Sequence, residues 1–128
     1  MNASLARLLK INVLLTGALT AVSGAVLIVL PGPILDLLDA DNTAASRHFF
    51  AIIGMFMLLF GGMTWATLRA KESSKFVIFW AGLQKLGASA AVMAGVANDL
   101  FSPLALAIAA LDLVSSVIYF AYRSTIKT

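Results

Sequence analysis

Long apolar runs alternate with short polar clusters along this chain. Four of the runs, at residues 11–30, 48–68, 76–97 and 103–122, are each about 20 residues long. At 1.5 Å per residue, such a run crosses the ~30 Å hydrocarbon layer of a bilayer as an α-helix. Helix is the conformation expected, because backbone groups in lipid have no water to bond and must satisfy one another. The short alternating strands of a membrane β-barrel do not occur.

The polar clusters set the connections. Residues 31–47 open with Pro31-Gly32-Pro33, which should stop the first span. Ile34–Leu38 is short and amphipathic and is expected to lie in the interface. Asp41, Asn42 or Thr43 would cap the second span. The second connection is Arg69–Lys75. The third is Asn98–Pro103, with Pro103 suited to the first turn of the fourth span. Short links make sequential spans antiparallel. The expectation is all-α: one domain over residues 1–128, an up-down four-helix transmembrane bundle with a short amphipathic segment after the first helix.

Composition supports the bilayer as solvent. Apolar residues make up 61% of the 128 and charged residues only 12%, about half the charge of a soluble domain. The placement of that charge fixes orientation. Arg7, Lys10, Arg69, Lys71, Lys75, Arg123 and Lys127 all fall on one side of four spans. The other side has Arg47, with Asp36, Asp39, Asp41 and Asp99. The positive-inside rule then puts both termini in the cytoplasm, and Trp65, Trp80, Tyr119 and Tyr122 lie toward that side as an aromatic belt. The first run is too long for the core of a signal peptide and lacks a small-x-small cleavage site, so it is read as a retained helix. The expected setting is a multi-pass protein of a bacterial cytoplasmic (inner) membrane. The net charge of +3 gives no reason to invoke nucleic acid, because the basic residues flank the spans. Cysteine is absent, which excludes disulfides and thiolate chemistry.

Two charges fall inside spans, Lys85 in the third and Asp112 in the fourth. Counted from the cytoplasmic ends they lie ~14 and ~15 Å deep, so antiparallel neighbours bring them to one level. An ion pair or a neutral pair sharing a proton is expected, facing the bundle interior. Each has polar company at helical spacing: Ser115, Ser116 and Tyr119 with Asp112, and Ser89 with Lys85, next to Gln84. Asn12, Thr16, Thr20 and Ser23 add a polar stripe on the first span. Such residues either fix helix register and glue helices together, or mark a ligand pocket, a water-filled path or a titrating site. Arg47 and His48 open the second span at the outer interface, where Arg47 should pair with one of the nearby aspartates. A metal site on a single His with loosely spaced acids is weakly supported. Stripes of small residues (Gly17, Ala21, Gly24; Gly54, Gly61; Ala88, Ala91, Gly95) suit close helix packing within the bundle, or homo-oligomer contacts.

The order Leu30-Pro31-x-Pro33, an acidic loop, Arg47, Gly54 and Gly61, Lys85, then Asp112 resembles the DoxX-like group of small four-helix bacterial membrane proteins, over about residues 14–122. The resemblance implies a four-helix bundle. Some relatives are thought to be subunits of membrane redox complexes, and distant kin bind lipophilic molecules. No catalytic residue carries over. Where such proteins commonly have Arg in the third helix, this chain has Lys85, which lacks the forked donor.

Three function classes follow. The first is a non-enzymatic binding or accessory protein, with an intrabundle pocket at Lys85, Gln84 and Asp112 for a lipophile such as a quinone or lipid, or a face for a membrane partner. The second is a small proton- or ion-coupled transporter, or an oligomeric channel, using Asp112 and Lys85. The third, an enzyme, has least support: no nucleophile–base pair, metal-ligand cluster or cofactor motif is present. The absence of cysteine allows a clean test of topology. Single cysteines at Glu72 and Ser124 should react with an impermeant maleimide only from the cytoplasmic face, and ones at Thr43 and Asp99 only from the outer face. Labelling of Glu72→Cys and Asp99→Cys from the same side would contradict the four-span topology.

Overall fold

The computed structural model describes residues 2–127. It contains five helices: α1 (Ala3–Val29), α2 (Pro31–Leu37), α3 (Ala44–Arg69), α4 (Lys75–Ala97) and α5 (Ala105–Thr125). All but α2 have the length and apolarity of a membrane span.

Local chemistry sets the ends. Asn2 caps α1 by accepting from the Ser4 amide, so α1 starts about two turns before the apolar run and carries Arg7 and Lys10 as helical residues. Thr43 caps α3 in a reciprocal box with Ser46, leaving Arg47 and His48 one turn inside the helix. Ser74 caps α4 by accepting from the Val77 amide. Pro31 and Pro33 do more than end α1. They occupy the first turn of α2, where a missing N–H costs nothing, so this helix starts earlier than Ile34. Pro103 lies in a turn ahead of α5, not in its first turn, and α5 runs on to Thr125.

The α2 and α4 C-termini close in the same way. After α4, the Leu100 amide donates to Gly95 O (2.9 Å) and the Asp99 amide to Val96 O (3.1 Å). After α2, the Ala40 amide donates to Leu35 O (3.0 Å) and the Asp39 amide to Asp36 O (3.1 Å). These are Schellman closures, with Asp39 (φ 53°) and Asp99 (φ 57°) in the left-handed position usually held by glycine. Aspartate is one of the few residues that tolerates it. A bond from the Ser102 amide to Leu38 O (2.8 Å) joins the two outer connections.

The four long helices form a ring in the order α1, α3, α4, α5, leaving α1 diagonal to α4. Glycine explains the α1–α3 approach. A Cβ on Gly24 would stand 2.4 Å from Gly54 O, and one on Gly61 would stand 2.5 Å from Gly17 O. Backbone meets backbone there, and the pairing of 24 with 54 and 17 with 61 makes the helices antiparallel. Gly82 of α4 similarly admits Phe120 and Tyr119 of α5, and Gly95 admits Phe101. In the α4 stripe only Gly95 is fully buried; Ala91 is exposed.

The apolar core lies toward the basic end, built from Val13, Leu68, Ile78, Ala81, Tyr119 and Tyr122. Many other large apolar side chains point outward, among them Leu15, Leu19, Phe49, Phe56, Phe76, Trp80, Leu111 and Val117. Water would not tolerate so extensive an apolar exterior on a small domain, whereas lipid matches it. The protein is therefore a multi-pass membrane protein with a four-helix transmembrane bundle. Trp65 and Trp80 are exposed, whereas Tyr119 and Tyr122 are buried in the core, because their faces of α5 point inward. Met55, Met63 and Met93 are exposed as well.

Gly61→Val should lower the midpoint of detergent-induced unfolding, because overpacking costs ~1–3 kcal/mol of stability. Gly62→Ala, where an added Cβ meets open space, should not lower it. Equal losses in the two variants would contradict the close α1–α3 contact.

Candidate functional site

The α4 face that turns inward carries Ile78, Ala81, Gly82, Lys85 and Ser89, spaced to stay on one stripe. Gly82 lets α5 come close, which puts Asp112 within reach of Lys85 one turn farther along. Lys85 Nζ donates to Asp112 Oδ1 at 3.1 Å, with the two side chains only 9% and 18% exposed. It also donates to Thr20 Oγ1 on the diagonal helix α1. Two of the three ammonium protons are thus used by identified partners.

Thr20 is itself held. Its hydroxyl donates to Thr16 O at 2.8 Å, so its lone pairs are turned toward the ammonium. Thr16 Oγ1 donates to Asn12 O at 2.8 Å and lies 3.4 Å from the Tyr119 hydroxyl, which donates to Val13 O at 3.5 Å. Ser89 Oγ donates to Ala109 O at 2.8 Å, a second tie between α4 and α5 on the outer side of the ion pair. The polar centre therefore draws on α1, α4 and α5, and α3 completes it with Thr64, which is buried beside Gly17.

The remaining space is small. The cleft bounded by Thr20, Phe60, Thr64, Gln84, Lys85 and Tyr119 has a water-accessible volume of about 0 Å³. Beside Lys85 this structure leaves no opening of the size a quinone or lipid would fill. Phe60, Tyr119 and Thr64 occupy the volume a guest would need.

The other expected residues separate into two groups. Gln84 is half-buried and lines the cleft, and Ser89 and Tyr119 are fully buried. Ser115 and Ser116 are buried on α5, but neither bonds to Lys85 or Asp112. Asn12 is exposed and joins the seam only through its backbone carbonyl. Thr64 was legible only as one of two hydroxyls, with Thr67, in an apolar run, one turn after Gly61.

At the end of the bundle opposite the termini, Arg47 forms no direct pair with an aspartate. Its Nη1 donates to Asn42 Oδ1 (2.9 Å), and Asn42 Nδ2 donates to Asp36 Oδ1 (2.7 Å), so the amide bridges the two charges. His48 is exposed and edge-on to Phe49. Among the described residues no cluster of three His, Asp or Glu stands close enough to hold a metal ion.

Chemically, the centre is an ion pair between α4 and α5 with a further bond to α1. Lys85→Met should leave Asp112 without its partner and destabilise the bundle by ~3–5 kcal/mol. Lys85→Met with Asp112→Leu should recover most of that loss, since an apolar pair of similar volume replaces a buried ion pair at little cost. Chemical unfolding in detergent measures both, and additive losses in the double variant would contradict the coupling. Compared with protein-family models, curated proteins and solved structures, the chain matches none.

Proposed function

We propose that this is a non-enzymatic accessory protein of a membrane, which acts through its lipid-facing surface on a membrane partner or on a second copy of itself. The polar centre is then a structural fixture. One observation supports this reading above the others: Lys85 is held by Asp112 and Thr20 in an interior with no space for water beside it. A transported ion needs a hydrated or alternately opened route to its titrating group, and a lipophilic guest needs several hundred cubic ångströms. The filled interior favours neither. The resemblance to the DoxX-like group agrees with an accessory role and with a bacterial inner membrane, and the membrane redox complexes in which some of those relatives are thought to act are the class of partner to test first.

The competing reading is a proton- or ion-coupled transporter using Asp112 and Lys85. Reconstituted proteoliposomes decide between the two. Under an imposed pH or ion gradient, the protein should give no flux above protein-free vesicles, and Asp112→Asn should change nothing. Flux that Asp112→Asn abolishes would establish the transporter reading instead.

A further inference from the structure

A groove lies at the basic end of the bundle. There the first turns of α1, the connection after α3 and the end of α5 enclose about 450 Å³. Arg7, Lys10 and Lys127 line it, with Glu72 as the one carboxylate. Arg7 and Lys10 are three residues apart and so share a side of α1. Neither they nor Lys127 forms an ion pair among the described residues. Ser73 Oγ and the Tyr122 hydroxyl, 2.9 Å apart, supply hydroxyl groups on the wall.

Two other basic residues at this end are differently engaged. The Arg69 guanidinium lies over the Trp65 ring at 4.9 Å and that of Arg123 over Phe79 at 5.2 Å. Three basic residues without an ion pair among the described residues, Arg7, Lys10 and Lys127, therefore line one groove, whereas Lys71 and Lys75 at the same end lie outside it. Its depth is also informative. The apolar run of α1 begins at Ile11, directly after Lys10, so the groove sits where the hydrocarbon ends and lipid phosphates begin. Ile126 adds an apolar side to the same groove.

We infer that this groove is a binding site for the phosphate-bearing headgroup of an anionic phospholipid. A guanidinium fork and ammonium groups suit phosphate oxygens, and the volume lies within the ~300–1,000 Å³ typical of small-ligand sites. Basic pockets between helix ends at the cytoplasmic face are suited to such headgroups. A bilayer presents this chemistry at high local density at the level of Arg7 and Lys10, which favours lipid over phosphate from solution.

The test is native mass spectrometry of the full chain in detergent, titrated separately with phosphatidylglycerol, cardiolipin and phosphatidylcholine of matched acyl chains. The anionic lipids should be retained over phosphatidylcholine. Arg7→Gln with Lys10→Gln should weaken their binding about tenfold or more, and Lys127→Gln, on the opposite wall, should weaken it several-fold. Lys71→Gln with Lys75→Gln removes the same charge from the same end outside the groove and should change binding less than about twofold. All of these variants should elute as the wild type does. Equal losses in the two double variants would reduce the effect to general surface charge and overturn the site. So would equal retention of phosphatidylcholine. Displacement of the lipid by millimolar inorganic phosphate would make it a site for soluble phosphate and overturn the lipid assignment.

Discussion

An ammonium group near the middle of a bilayer costs at least ~2.5–3.5 kcal/mol on insertion scales. Lys85 therefore places demands on the whole bundle. It needs an acid at its own depth, which the short connection between α4 and α5 provides by making the helices antiparallel and bringing Asp112 level with it. It needs α5 close, which Gly82 permits by leaving room for Tyr119 and Phe120. It needs a further acceptor, supplied by Thr20 from the diagonal helix. Lys85 reaches that helix although the α1 and α4 backbones stay apart, so one long side chain links the α4–α5 pair to α1.

The α1–α3 pair rests on a different interaction. Lipid offers no hydrophobic reward for bringing two apolar helices together, so close packing of small residues must do it. Gly17, Gly24, Gly54 and Gly61 allow backbone to touch backbone along that seam. The bundle thus combines a close-packed pair with an ion-paired one. Thr20 and Thr64, one on each helix of the close-packed pair, bring the two systems together at Lys85 and fill its surroundings.

Much of this was legible in the sequence, for identifiable reasons. Spanning length, basic asymmetry and antiparallel links are coarse quantities, and they sufficed to predict the four spans and to bring Lys85 level with Asp112. Finer features depended on information that a single sequence lacks. Helix rotation decides which polar side chains turn inward, so the Asn12 side chain is exposed while Tyr119 and Tyr122 lie in the core. Thr64 carried no signal beyond its hydroxyl, because threonine in a helix can satisfy itself on its own backbone. The space beside Lys85 depends on how Phe60 and Tyr119 pack, which spacing along a helix does not show. At the end opposite the termini, charge counting predicted an Arg47–Asp pair, whereas the intervening Asn42 amide offers both groups a neutral partner.

The Lys85–Asp112 contact can be observed directly in a membrane. The other lysines lie at the basic end and the other aspartates at the opposite end, so labelling every Lys Nζ with ¹⁵N and every Asp Cγ with ¹³C leaves one close pair. Solid-state dipolar recoupling in bilayers should then show dephasing from a single Lys–Asp contact, matching an Nζ–Oδ1 separation of 3.1 Å, and Asp112→Asn should remove that carboxylate signal. Lysine and aspartate spectra with no mutual dephasing would mean that the two charges do not meet, and the bundle would then need another explanation for carrying them.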